Sequence, residues 1–208
     1  IHIKGIEDWT AGQSCDNLGP MTTSSVRTVI SLFPGAMGLD LGFDSEGFDI
    51  RVAVENDPWA VETIKANGCR LRNCPEVIPD DIHAVSSEVI LDKARLQTGE
   101  ATVLIGAPPC EPHSTAGRRN GGGDSRADTL FDFIRVINET RPLVFCMEEV
   151  KGFLSSSKKH RDFYDRVAMD PSMLHPDEKL GSFFFEVMEE FKRTGYALSF
   201  DENNPKKS

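Results

Sequence analysis

The feature that most constrains this chain is a recurring unit: a short apolar run rich in β-formers, a turn carrying glycine or Asp-Pro, and a stretch of helical spacing. The first copy runs from Thr28 to Phe33, turns through PGAMG and continues amphipathically to Gly47. The second is Ile50 to Glu55, with Asp57 and Pro58 placed as N-cap and first helical residue, a helix to about Asn67, and Gly68 as its stop. A short extended piece near Val77 to Ile82 and a helix from Ser86 to Leu96 follow. The run ATVLIGA, Ala101 to Ala107, is apolar at every position, the pattern of a strand buried on both faces. Beyond a polar loop, Leu130, Phe133, Ile134 and Ile137 predict a helix, Leu143 to Glu148 a strand, Leu180 to Arg193 a helix and Tyr196 to Phe200 a last strand. Strand and helix alternating in this way predict an α/β domain with a mostly parallel sheet and helices on both faces.

Composition narrows the function classes. In 208 residues there is room for one sizeable core, and no apolar run approaches the length that spans a bilayer. We expect residues 26–208 to form that domain and residues 1–25 to be an arm or tag-like extension ahead of it, Met21 opening a polar stretch that reads like an ordinary start. Lys and Arg total 23 against 33 Asp and Glu, a net charge of −10, so no global positive field attracts nucleic acid. The five cysteines form no paired CxxC, the histidines are too scattered for a metal site, and we expect reduced thiols, no metal and a cytoplasmic location.

Three clusters carry chemistry. In the first turn, Gly35 and Gly38 let a ligand approach a helix N-terminus, and Glu55, about 20 residues on, is placed to bind ribose hydroxyls; this fits a dinucleotide or S-adenosylmethionine. In GAPPCEPHS two prolines follow the buried strand and display Cys110 at the sheet's carboxyl edge, as befits a nucleophile; Cys146, inside LVFCME, reads as a core residue. Glu148, ending the neighbouring strand, faces the same crevice, where a carboxyl can hold or deliver a proton. The glycine-rich loop from Gly117 to Arg126 sits where open α/β sheets bind ligands. The helix 180–193 reads as a packing helix, and the run Lys158 to Arg161 as a solvated loop rather than a phosphate clamp.

These clusters, in this order, resemble the cytosine-C5 DNA methyltransferase family. LFPGAMGLDLGF is similar to its cofactor motif, VENDPWA to its ribose-binding segment, DDI to its adenine contact, GAPPCEPHS with the following DSR and Leu to its catalytic motif and loop, and MEEVKGFL to its Glu-Asn-Val motif. The resemblance implies a Rossmann-like methyltransferase fold and S-adenosyl-L-methionine as donor. It implies that Phe33, Gly35, Ala36 and Gly38 line the donor site, with Glu55 and Asn56 at the ribose. Asp81 and Ile82 would meet the adenine, and Pro109 and Leu130 would complete the wall. Cys110 would attack C6 of a flipped-out cytosine in double-stranded DNA while Glu148 engages N3, and Ser114, Arg118, Arg119 and Arg126 would contact phosphates.

The departures from the family pattern are specific. Glu111 stands where the family has Gln, Glu149 where it has Asn, His113 where an aromatic is common, and Met37 where the cofactor turn has glycine. No Gln-x-Arg-x-Arg segment, target-recognition domain or closing cofactor motif is legible, so recognition would come from a downstream region or a second subunit. The expected setting is bacterial restriction-modification or a phage. The alternative expectations are a catalytically impaired or split-enzyme subunit that binds nucleic acid or a partner, and an RNA cytosine methyltransferase.

Overall fold

The computed structural model describes residues 2–4, 26–109, 128–159, 161 and 163–199. Seven strands form one sheet: β1 (His2–Lys4), β2 (Thr28–Leu32), β3 (Asp49–Val54), β4 (Glu76–Ile78), β5 (Val103–Gly106), β6 (Val144–Met147) and β7 (Ala197–Ser199). Their order is β4-β3-β2-β5-β6-β1-β7. The five strands from β4 to β6 are mutually parallel, whereas β1 runs antiparallel to both β6 and β7. The predicted strands therefore form, each within a residue or two of its expected bounds except β4, which stops at Ile78. The residues read as an arm contribute β1, pairing His2 with Cys146 on one side and with Ser199 on the other.

Alternation along the strands explains why both faces are covered. Ile30, Leu32 and Leu104 point to one face, Val29, Val103 and Ile105 to the other. In β3 the register shifts where Val29 and Ile30 pair with Ile50 and Val52, so that residues two apart serve opposite faces, as a bulge allows. Helices α1 (Gly38–Ser45) and α2 (Pro58–Asn67) cover one side through Leu39, Phe43 and Ile64. Helices α3 (Ser87–Ala94) and α4 (Asp128–Thr140), with α6 (Ser182–Arg193), cover the other through Ile90, Phe133 and Phe191; α5 (Phe163–Ala168) lies between α4 and α6 in sequence. Phe145 stacks on Phe191 at 5.3 Å and meets Phe133 edge-on at 6.1 Å, which ties β6 to α4 and α6.

Local chemistry sets the helix ends. Asp57 accepts the Ala60 amide at 2.8 Å with Pro58 at the first position of α2, as expected. Gly68 does not stop the chain in a left-handed turn; at φ −56° it carries α2 into a short 3-10 turn ending at Arg70. Ser86 caps α3 through the Val89 amide. In α6, Phe183, Val187, Met188 and Phe191 are buried, so it is a packing helix. The basic run beside it is internally neutralised: Lys158 pairs with Glu186 at 3.0 Å and Arg161 with Glu178 at 2.9 Å. No described helix is long and apolar enough to cross a membrane.

Candidate active site

Three parallel strands end level with one another. Leu32 of β2 pairs with Gly106 of β5, and Gly106 with Met147 of β6. Pairing continues just beyond: the Ala107 amide donates to the Leu32 carbonyl at 3.4 Å and the Glu148 amide to the Gly106 carbonyl at 2.9 Å. Residues 33, 107 and 148 therefore leave the sheet at one edge. Between β2 and β5 the strand order reverses direction, the place where open α/β sheets bind ligands. A cavity of about 310 Å³ lies there, walled by Leu32, Phe33 and Pro34, by Gly106 and Ala107, and by Glu148 opposite. Ser31, Leu39 and Asp40 complete the wall. Gly106 has no substitute at that edge, since a Cβ would come within 2.6 Å of the Phe133 ring and 3.0 Å of the Leu32 carbonyl.

The turn from β2 to α1 is held open by unusual backbone. Phe33 at φ 56°, Gly35 at 53° and Met37 at 65° are all left-handed. For the two non-glycine residues this costs about 1 kcal/mol each. Met37 offsets that cost by burial, being 2% exposed in the core on the α1 side, which accounts for its tolerance where the family pattern has glycine. Glu55, 8% exposed at the end of β3, fixes the turn from the other side: one carboxylate oxygen accepts the Gly35 amide at 3.0 Å and the other the Asp57 amide at 2.9 Å. A carboxylate offers about four acceptor sites, so Glu55 can hold the turn and still accept hydroxyl donors.

The remaining expected residues occupy different environments. Ala36, Gly38, Asn56, Asp81 and Pro109 are exposed around this edge, while Ile82 is buried and Leu130 is fully buried within the main core. The Asp81 carboxylate accepts the His83 amide at 3.0 Å, which shapes the turn after β4. Cys110, Glu111, His113, Ser114, Arg118, Arg119 and Arg126, with the glycine-rich loop, lie outside the described residues. Cys146 is half-buried, and burial pushes its thiol pKa up, in keeping with a core role.

Two further acids stand at this edge, Glu149, already set apart by its departure from the family pattern, and Asp40, which the sequence reading did not single out. Glu149 is half-buried next to Glu148, and burial, with a smaller contribution from the Glu148 charge, raises its pKa to about 7 against the pull of the Val150 amide. Asp40 is wholly buried. It stands between Leu39 and Leu41 in α1, and its neighbour Leu41 is 51% exposed. The available signal was the helix position itself, since the first turn favours acids whichever way they point.

Comparison with known proteins places this geometry. The C-5 cytosine-specific DNA methylase family matches residues 27–167. The type II methyltransferase M.AquIA of Picosynechococcus sp. is 42% identical over 132 residues, 64% of this chain and 52% of the relative. M.NgoPII of Neisseria gonorrhoeae is 36% identical over 65% of this chain and 36% of its own length, and M1.HphI of Haemophilus parahaemolyticus 32% identical over 82% and 39%. The chain thus spans about a third to a half of these relatives. In fold it resembles a solved E. coli structure assigned as a prophage-encoded DNA modification methyltransferase, with a TM-score of 0.54 and 22% identity over 81% of this chain and 38% of that one. With the family's match covering the strands, turns and edge residues that build the cavity, the chain belongs to the C-5 cytosine-specific DNA methylase family.

Proposed function

We propose that this chain is the donor-binding, catalytic portion of a DNA cytosine-C5 methyltransferase that uses S-adenosyl-L-methionine. The observation that carries this reading is the cavity at the β2/β5 switch point with Glu148 on its wall, at the edge where Pro108 and Pro109, the residues before Cys110 in sequence, follow β5. The residues present fit the donor: an apolar wall of Leu32, Phe33 and Ala107, Glu55 with acceptor sites to spare for ribose hydroxyls, and a helix N-terminus at Gly38. When bound, the donor supplies a methyl group on a positively charged sulfur.

The chain's own groups do the rest. The Cys110 thiolate forms a bond to C6 of the target cytosine while Glu148 hydrogen-bonds or protonates N3, so that electron density gathers at C5. C5 then takes the methyl group, and the C5 proton leaves to a base as the Cys110–C6 bond breaks, restoring the thiolate and the aromatic ring. Because C6 is inaccessible in a stacked duplex, the base must be flipped out. Ser114, Arg118, Arg119 and Arg126 are proposed to hold the phosphates around it, with duplex selection supplied by a region or subunit outside this chain.

The test is nucleoside mass spectrometry of DNA from a host without cytosine methylation that expresses the full gene, with or without its partner gene. We expect a 5-methylcytosine peak that Cys110→Ser abolishes. Methylation that survives Cys110→Ser, or methyl transfer to RNA alone, would overturn the reading.

A further inference from the structure

Asp40 is an ionisable wall residue for which the reaction above has no task. It is 0% exposed, and neither carboxylate oxygen has a hydrogen-bond partner among the described residues; the Ser31 hydroxyl, 1% exposed beside the same cavity, has none either. Leaving such groups unpaired is costly, more so for a charge, and native proteins seldom do so without cause. Burial pushes the Asp40 pKa up, with the nearby Ser31 hydroxyl easing the shift. Exchanging Asp40 with its exposed neighbour Leu41 would satisfy the core, so the placement is costly for folding alone.

The cavity's charge says what would repay that cost. Asp40 and Glu148 are its ionisable wall residues, and both are acids. The cavity therefore offers no cation to an anionic ligand among its described wall residues and two acceptor groups to a cationic one. Resting on the donor reading above, we propose that Asp40, with Ser31, forms the subsite for the primary ammonium of the donor's amino-acid moiety. The ammonium has three N–H donors; the two Asp40 oxygens and Ser31 Oγ offer three acceptors, and the charge-assisted bonds satisfy every orphaned atom at once. Asp40 is thus a binding residue, distinct from Cys110 and Glu148, and positions the donor from its amino-acid end.

Calorimetry with two nucleosides tests this on the whole chain. S-adenosylhomocysteine carries the ammonium; 5′-methylthioadenosine lacks the entire amino-acid end. Asp40→Asn should weaken the first about tenfold or more and leave the second within about twofold, since the charge-assisted hydrogen bonds reach only the ligand that carries the ammonium. Ser31→Ala should show the same selectivity with a smaller loss. Equal loss for both ligands, or none, overturns the assignment. Should Asp40→Asn fail to fold, the wild-type chain decides with a deaminated S-adenosylhomocysteine: weaker binding supports the subsite, parity overturns it. A folded wild type that binds neither nucleoside overturns the donor reading and the subsite together, whereas binding both without discrimination overturns the subsite alone.

Discussion

At the scale of single residues, Glu149 shows how a departure from the family's pattern can be compatible with its chemistry. One of its oxygens accepts the Val150 amide at 3.0 Å and the other is buried without a partner among the described residues. Burial raises its pKa from 4.5 to about 7, so below neutrality it is a neutral acid with one donor and one acceptor, much as the carboxamide of the family's Asn would be. The linkage has a definite sign. A carboxyl whose folded pKa is raised contributes stability below its unfolded pKa, and that contribution fades as pH rises from 4.5 through 7. The shift corresponds to about 3 kcal/mol by pH 8.5. Glu149→Gln should therefore gain roughly that much stability over the wild type at pH 8.5 and almost nothing at pH 4.5 in urea denaturation. Methyl transfer by the wild type should decline through pH 7 while the variant's profile stays flatter. Parallel stability curves for the two proteins would contradict the burial argument.

At the scale of elements, the turn after β4 is held by α4 rather than by its own strand. Arg135 donates from Nη2 to the carbonyls of Ile82 at 2.9 Å and Val85 at 3.3 Å, while Asp132 and Glu139 hold its Nε at 2.9 Å and Nη1 at 3.3 Å. Asp132 also pairs with His83 of the same turn. The planar guanidinium reaches four acceptors at once, which a lysine ammonium cannot do. The turn carries Asp81 and Ile82, the residues the family resemblance sets against the donor's adenine, and α4 is the first described element after the glycine-rich stretch in sequence. Arg135→Lys should lower stability by about 1–3 kcal/mol, because two carbonyls lose a charged donor. Hydrogen exchange should quicken at residues 82–86 more than in β2 or β5. Uniform quickening across the domain would show that Arg135 supports the core and not this turn.

At the scale of the whole molecule, what was legible followed from local rules and what was not followed from packing at a distance. The apolar run ATVLIGA reads as a buried strand because burial on both faces leaves no polar position, and Asp57-Pro58 reads as a helix start because the cap is satisfied within three residues. The position of Glu55 at the end of its strand was legible, and its two amide bonds to the turn were not. The burial of Asp40 beside an exposed Leu41 was not legible, because packing around the cavity decides which side of the helix is covered. The β1 pairing joins residues some 140 and 195 positions apart, beyond any local pattern. Charge is the property that scales to the full molecule. With a net charge of −10 in 208 residues, the chain lacks the overall positive field that favours tight duplex binding. Fluorescence anisotropy with duplex DNA near physiological salt should show binding no tighter than the ~10⁻⁴–10⁻⁶ M typical of non-specific contacts. Sub-micromolar, sequence-selective binding by this chain alone would place target recognition within these 208 residues, in the glycine-rich loop or the residues ahead of β2.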